Sequence, residues 1–384
     1  MIKRKYLILP LLLILSINFT FHFSSILFFK EDIVITDSPK SQNVLDNPPF
    51  SNDSPFNIKI PQNAAIDSST DNYVNAITDS FTDMLVVAVG NWSVPVFFAD
   101  SFTTIYDVTI TDPEWGFIME DIPIPDNAAP DPEEDGHLCI IDESTGVEYD
   151  FWQGEKQGNT WSASWGNSIS IYSTGTYPWG AGARASGFAL TAGLILPNEF
   201  EQGIIDHALV FSLDPTLVRQ GGPILPATDS DGYSTDPLAP PEGARLQLDP
   251  SINLDNRNLT PSEKIIAKAL QEYGMILGDI GGGSPEIYAA NPIGETGDWE
   301  EFLSVDSGGL VYLFENKISI TEFRVLKMGS QYPNPPSDPW EDEPLPPYEI
   351  YTTSQESIPG YNILFLFSMI SIISVISLKK LKKT

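Results

Sequence analysis

Short apolar runs separated by clusters of Gly, Pro, Asp and Asn fill the chain between residues 82 and 328. They read MLVVAVG, PVFFA, YDVTITD, HLCIID, EYDFWQ, SISIYS, HALVFSL, ARLQLD, LVYLF and ISITEFRVL. Runs of this length, bounded by turn formers, predict the strands of an antiparallel β-sandwich of the jelly-roll or lectin-like kind. No unit recurs at a fixed period, which disfavours solenoids and propellers. One helix stands out. Thr260-Pro261-Ser262-Glu263 combines an N-cap, a proline at the first helical position and a capping-box glutamate. Ile265, Ile266, Ala269, Leu270 and Tyr273 then share one face, and Gly274 closes the element.

The two ends have a different pattern. Met-Ile-Lys-Arg-Lys precedes an apolar stretch from Tyr6 to Phe29, so residues 1–30 read as a signal peptide or a retained signal anchor. Residues 31–81 are rich in Ser, Asn, Asp and Pro and predict a flexible leader. Residues 329–360 combine prolines with acids, a composition that favours an extended stalk. Residues 361–378 carry no charge and are followed by the basic tail 379–384. Eighteen residues at the helical rise span about 27 Å, enough to cross a bilayer core. Tail lysines place that end in the cytoplasm, so the β body is expected outside the cell. The element Ile358-Pro359-Gly360-Tyr361 before the apolar run resembles the C-terminal anchors of archaeal surface proteins.

Charge sharpens this division. The chain carries −32 overall, and eight of its 20 basic residues lie at the two ends. All 52 acidic residues fall between Glu31 and Gly360, which argues against nucleic acid as a partner. The lone cysteine, Cys139, sits inside HLCII and reads as a small buried apolar residue.

The motif order PIPDNAAPDPEEDGHLCIIDESTGVEYDFWQ, WSASWG, GFALTAGLILPNEFEQGIIDHALVF, PPEGARLQLDP and IAKALQEYGMILGDIGG resembles a family of secreted bacterial proteins. The likeness spans residues 122–282 and implies a single β-rich extracellular domain, without supplying a reaction. Ile280 departs from it, standing where a polar residue is expected after Asp279.

Candidate chemistry is scattered. His137 and His207 each open a strand and are candidates for acid–base work, with Asp279. Glu148, Asp150 and Trp152 alternate, so on a strand they share a face, and two carboxylates beside an indole compose a sugar cleft. Trp165 is a second candidate platform, and Arg245 a candidate ligand for a substrate carboxylate. Asp229 and Asp231 resemble half of a calcium loop. Asn52, Asn91 and Asn258 head glycosylation tripeptides. The expectation is therefore a membrane-anchored surface protein that binds polysaccharide or cleaves it, as a hydrolase or a lyase. A non-catalytic adhesion or surface-layer protein is the alternative.

Overall fold

The computed structural model describes residues 49–80, 84–178, 181–332 and 347–353. The signal segment, residues 31–48, most of the stalk, the 361–378 segment and the basic tail lie outside the described residues. No helix among the described residues is long and apolar enough to cross a membrane.

In chain order the elements are α1 (Thr70–Ser80), β1 (Leu85–Ala88), β2 (Val96–Ala99), β3 (Ile105–Ile110), β4 (Ile118–Pro123) and β5 (Leu138–Asp142). Next come β6 (Val147–Trp152), β7 (Glu155–Gln157), β8 (Thr160–Ala163), β9 (Trp165–Ser170), α2 (Pro197–Gln202) and β10 (Leu209–Leu213). The last are β11 (Arg245–Leu248), α3 (Pro261–Glu272), β12 (Met275–Ile280), β13 (Glu286–Tyr288), β14 (Leu310–Leu313) and β15 (Phe323–Val325). The protein is mainly β, and each of the ten apolar runs contains a strand.

Their pairing is not that of an antiparallel sandwich. A seven-stranded sheet has the order β14-β1-β13-β10-β12-β11-β15, and two four-stranded sheets run β2-β5-β6-β9 and β4-β3-β8-β7. Each is mixed, with parallel pairs at β1/β13, β10/β12, β2/β5 and β3/β8. The physical reason lies in β5. Its Cys139 and Ile141 face the major core while Leu138 and Ile140 face a smaller core shared with β3, β4 and β8. A strand buried on both faces reads as an unbroken apolar run, the signature of an interior strand rather than one side of a solvated sandwich.

α3 forms as its local signals require. Thr260 Oγ1 accepts from the Glu263 N–H, the Glu263 carboxylate accepts from the Thr260 N–H, and Gly274 takes a left-handed φ of 74°. Two further helices accompany it. The leader needs correction from residue 49 onward, because Phe56, Tyr73, Val74 and Ile77 are buried in the major core. Apolar positions in a Ser- and Asp-rich stretch give α1 one sticky face, and that is enough to dock it. Part of the stalk docks as well. The Ala65 N–H donates to the Tyr351 carbonyl and the Thr353 N–H to the Asn63 carbonyl, stapling residues 351–353 to the body.

Candidate functional site

The carboxyl ends of the parallel neighbours β10 and β12 meet the amino end of β13, and polar side chains collect there. Ligand sites in open sheets containing parallel strands tend to lie at such carboxyl ends. The register slips between Phe211 and Ser212, so that Ser212 pairs with Asp279 and leaves Gly278 as the extra residue. Such a bulge re-aims the side chain that follows it. Only glycine fits there, since a Cβ at 278 would come within 2.7 Å of both Phe188 and Val210.

Facing Asp279 is Arg184, presented by a tight turn. The Gly187 N–H donates to the Arg184 carbonyl at 2.9 Å, and Gly182 packs so closely on Gly187 that a Cβ would lie 2.7 Å from its Cα. Gly187 has φ 77°, and a Cβ on it would sit 1.9 Å from Thr228 Oγ1. The Ser186 carbonyl accepts from the Thr228 N–H, which ties the loop of Asp229 and Asp231 to this turn. Glu242 arrives on a separate turn, fixed where the Gly243 N–H donates to the Leu277 carbonyl of β12. Asp135 comes from the loop that runs back along the end of β6, where Gln153 N–H donates to its carbonyl.

Arg184 is 1% exposed, and none of its three guanidinium nitrogens has a hydrogen-bond partner among the described residues. Its Nε lies 3.5 Å from Asp279 Oδ2, and the guanidinium stands 5.0 Å from the Tyr288 ring centroid. Glu242 is fully buried, with neither carboxyl oxygen in a hydrogen bond of normal geometry. A buried polar group ordinarily finds a partner, so these two, both beside Asp279, mark a polar recess in the packing, a gap in hydrogen bonding rather than an open cleft.

The charges bear this out. Burial pushes the Asp279 carboxyl up to about 8 against the opposing pull of Arg184. Burial likewise lifts Glu286 to about 7 and Asp229 and Asp231 to about 6, and it holds Glu242 well above the usual carboxylate range. Asp135 is raised in the same way, while the Trp152 indole N–H donates to its carboxyl and draws it back. Asp279 keeps 16% of its side chain open to solvent, and Asp231 is exposed as a residue at the rim while the atoms packed around its carboxyl desolvate that group. The recess thus reaches water.

The remaining candidates from the sequence divide sharply. His137 is buried beside Arg184, and loss of water together with that cation lowers it to about 3, so it is neutral at neutral pH and cannot donate as an imidazolium. His207 lies elsewhere, its Nε2 on Glu199 at 2.8 Å and its Nδ1 on the Ala208 carbonyl, and it shares no partner with His137. Glu148 and Asp150 do share a face of β6, but that face is the buried one and both are 0% exposed. A sugar cannot reach them. Trp152, two positions on, emerges half-buried at the recess. Trp165 donates its indole N–H to the Ala181 carbonyl and packs edge-on against Phe117, a structural post. Arg245 is no carboxylate ligand either, because its nitrogens donate to the carbonyls of Tyr273, Pro55 and Ile58. Asp229 and Asp231 belong to no group of three metal-ligating atoms; among the described residues the one such group is Cys139, Glu148 and Asp150. Cys139 is buried as expected. Asn52 and Asn258 are exposed, whereas Asn91 is half-buried and its Ser93 hydroxyl is used by the Ala289 carbonyl.

The sequence reading missed Arg184, Glu242, Glu286 and Tyr288. One signal for Arg184 exists: it is the only Lys or Arg between Lys156 and Arg219. Comparison with known proteins finds no matching family model, no matching curated protein and no matching solved structure.

Proposed function

We propose that this protein cleaves a neutral polysaccharide at the recess around Arg184, by carboxyl-based hydrolysis, while held at the cell surface by its 361–378 segment. The observation that carries the reading is the cluster of carboxyls beside Arg184, in which the charge of Asp231 adds to the rise of Asp279. Burial pushes Asp279 up to about 8 and Asp231 up to about 6, so Asp279 gives up its proton at the higher pH. Glycoside hydrolysis needs one carboxyl to protonate the leaving oxygen and another to act as base or nucleophile, and environments that push two carboxyls apart assign those roles. Asp279 is the acid and Asp231 the base. Trp152 offers its indole as a stacking surface beside them.

The sign of the recess favours hydrolysis over elimination. A lyase acting on a uronate polymer must draw an anionic chain toward its cations. Here Arg184 is enclosed, each nitrogen of Arg245 is bonded to a backbone carbonyl, and four carboxyls, Asp135, Asp231, Glu242 and Asp279, cluster together. Such a field repels a polyanion.

The test is reducing-end release by the full chain in detergent from a panel of neutral and acidic polysaccharides. The expected profile is a bell. Activity rises through about 6 as Asp231 ionises and falls above about 8 as Asp279 loses its proton. Asp279→Asn is expected to lower turnover by roughly 100-fold or more while the protein stays folded. Binding without turnover on every polymer would overturn hydrolysis in favour of adhesion. New unsaturated ends would instead identify a lyase.

A further inference from the structure

Deep in the major core, away from the recess, β6 turns two carboxyls inward. Glu148 and Asp150 are both 0% exposed, and Cys139 of β5 stands directly across from Asp150 in the sheet. Ligating atoms of the three side chains lie within 4.8 Å of one another. Two carboxylates cannot both stay ionised at that distance in a dry core.

The hydrogen bonds show where a proton goes. Glu148 Oε1 accepts from the Thr191 N–H at 3.0 Å, and Oε2 accepts from the Thr191 hydroxyl at 2.5 Å. Asp150 Oδ2 accepts from the Tyr177 hydroxyl and the Leu190 N–H, both at 3.0 Å. Three of the four oxygens therefore already face donors, and a proton placed on any of them competes with an N–H or O–H. Of the four, Asp150 Oδ1 alone is buried without a hydrogen bond of normal geometry, and Cys139 and Glu148 both lie within reach of the Asp150 carboxyl. The 2.5 Å contact to Glu148 is the length expected when a hydroxyl donates to an ionised carboxylate.

We propose that Asp150 carries a proton on Oδ1 and donates it to an ionised Glu148, and that this pair is a clasp fixing Tyr177 and residues 181–191, the segment that presents Arg184. The clasp closes four bonds onto that segment, through Tyr177, Leu190 and Thr191. Direction agrees with geometry. Burial and the charge of Glu148 hold Asp150 well above the carboxylate range, while burial raises Glu148 and its bonds from Thr191 and Asp150 draw it back. The other titratable groups facing the pair are the Cys139 thiol and the Tyr177 phenol, both held well above their usual values and so neutral.

The proposal predicts an asymmetry between two isosteric variants. In Asp150→Asn the amide NH₂ takes the place of the Oδ1 proton, and the amide oxygen still accepts from Tyr177 and Leu190. In Glu148→Gln an NH₂ must confront the donors of Thr191. Asp150→Asn is expected to melt within about 2 °C of the parent near pH 5, and Glu148→Gln about 5 °C or more below it. Hydrogen exchange at the Leu190 and Thr191 amides should stay slow in the first variant and quicken in the second.

Stability against pH gives an independent readout. A carboxyl with a raised folded pKa stabilises fully below its unfolded value of about 4, and that contribution is lost as pH climbs toward the folded value. Asp150→Asn removes this slope. Infrared spectra of the parent protein at neutral pH should contain a buried carboxylic-acid carbonyl band that Asp150→Asn abolishes. Equal damage from both variants, or a parent spectrum unchanged by Asp150→Asn, would overturn the proposal. So would one equivalent of zinc bound to the parent through Cys139 and lost in Asp150→Asn, since a metal would then occupy the place assigned to the proton. None of these readouts depends on polysaccharide cleavage.

Discussion

Two arginines are buried to almost the same depth, Arg245 at 2% exposure and Arg184 at 1%, and they have opposite surroundings. Each nitrogen of Arg245 donates to a backbone carbonyl at 2.8–2.9 Å, joining β11 to the turn after α3 and to the segment around Pro55. Arg184 donates to nothing among the described residues and rests 3.5 Å from one carboxyl. A buried cation bonded through every nitrogen belongs to the architecture, because its bonds offset the cost of removing it from water. An unsaturated one is held in place by other parts of the fold, with its donors free for water or a ligand. The saturation of a charge, more than its depth, separates scaffold from site.

The largest expected effect comes from making one substitution at both positions. Arg245→Met leaves two buried carbonyls and one part-buried carbonyl without this donor and is expected to cost about 3 kcal/mol or more. Chemical denaturation near pH 5 measures it. Arg184→Met at the same pH is expected to cost less than about 1 kcal/mol, since no hydrogen bond is lost and the surrounding carboxyls are largely protonated there. Polysaccharide cleavage should show the reverse order, with Arg184→Met the more damaged. Equal stability losses would mean that Arg184 is scaffold after all.

That contrast was only half legible in the sequence. The ten apolar runs mark strands and the caps of α3 mark its ends, because both are local signals. Pairing is not local. β13 has three residues and slots between β1 and β10, which lie far from it in the chain and flank it only in the fold. The alternation of Glu148, Asp150 and Trp152 correctly puts them on one face. A period of two cannot say which face meets water, and here the two carboxyls point into the core. Arg245 looked like a substrate ligand for the same reason: a rare cation in an acidic body is conspicuous whether or not its donors are spent. The recess draws residues from separate segments between Asp135 and Tyr288, so no spacing announces it. Asp279, Asp229, Asp231, His137 and Trp152 could be named, but Arg184, which stands beside Asp279 and His137, could not.

Glu242 carries the same contrast to an anion, with a smaller effect. Neither of its oxygens is in a hydrogen bond of normal geometry among the described residues, while those of Glu148 face donors from Thr191. Burial holds Glu242 well above its usual range, with the charges of Asp231 and Asp279 adding to the rise. Its folded pKa exceeds its unfolded one, so the protonated group stabilises at low pH and that contribution fades as pH climbs above about 4.5. Glu242→Gln should therefore match the parent in acid and exceed it by about 1 kcal/mol at mildly alkaline pH. Denaturant midpoints taken across the pH range test this. A variant less stable than the parent at every pH would mean that Glu242 is bonded as fully as Glu148.

The smallest effect asks whether saturation matters without burial. Lys59 Nζ donates to Glu272 at 2.7 Å and stands over the Tyr273 ring, a pairing as complete on paper as that of Arg245. Its side chain is 60% exposed, however, so water and salt compete for both charges. Lys59→Ala should cost no more than about 0.5 kcal/mol, and raising the salt concentration should erase even that. Arg245→Met should keep its cost at the same salt, because its partners are enclosed. If Lys59→Ala instead approached the loss at Arg245, bond count alone would set stability here. The empty donors of Arg184 would then no longer single out a site.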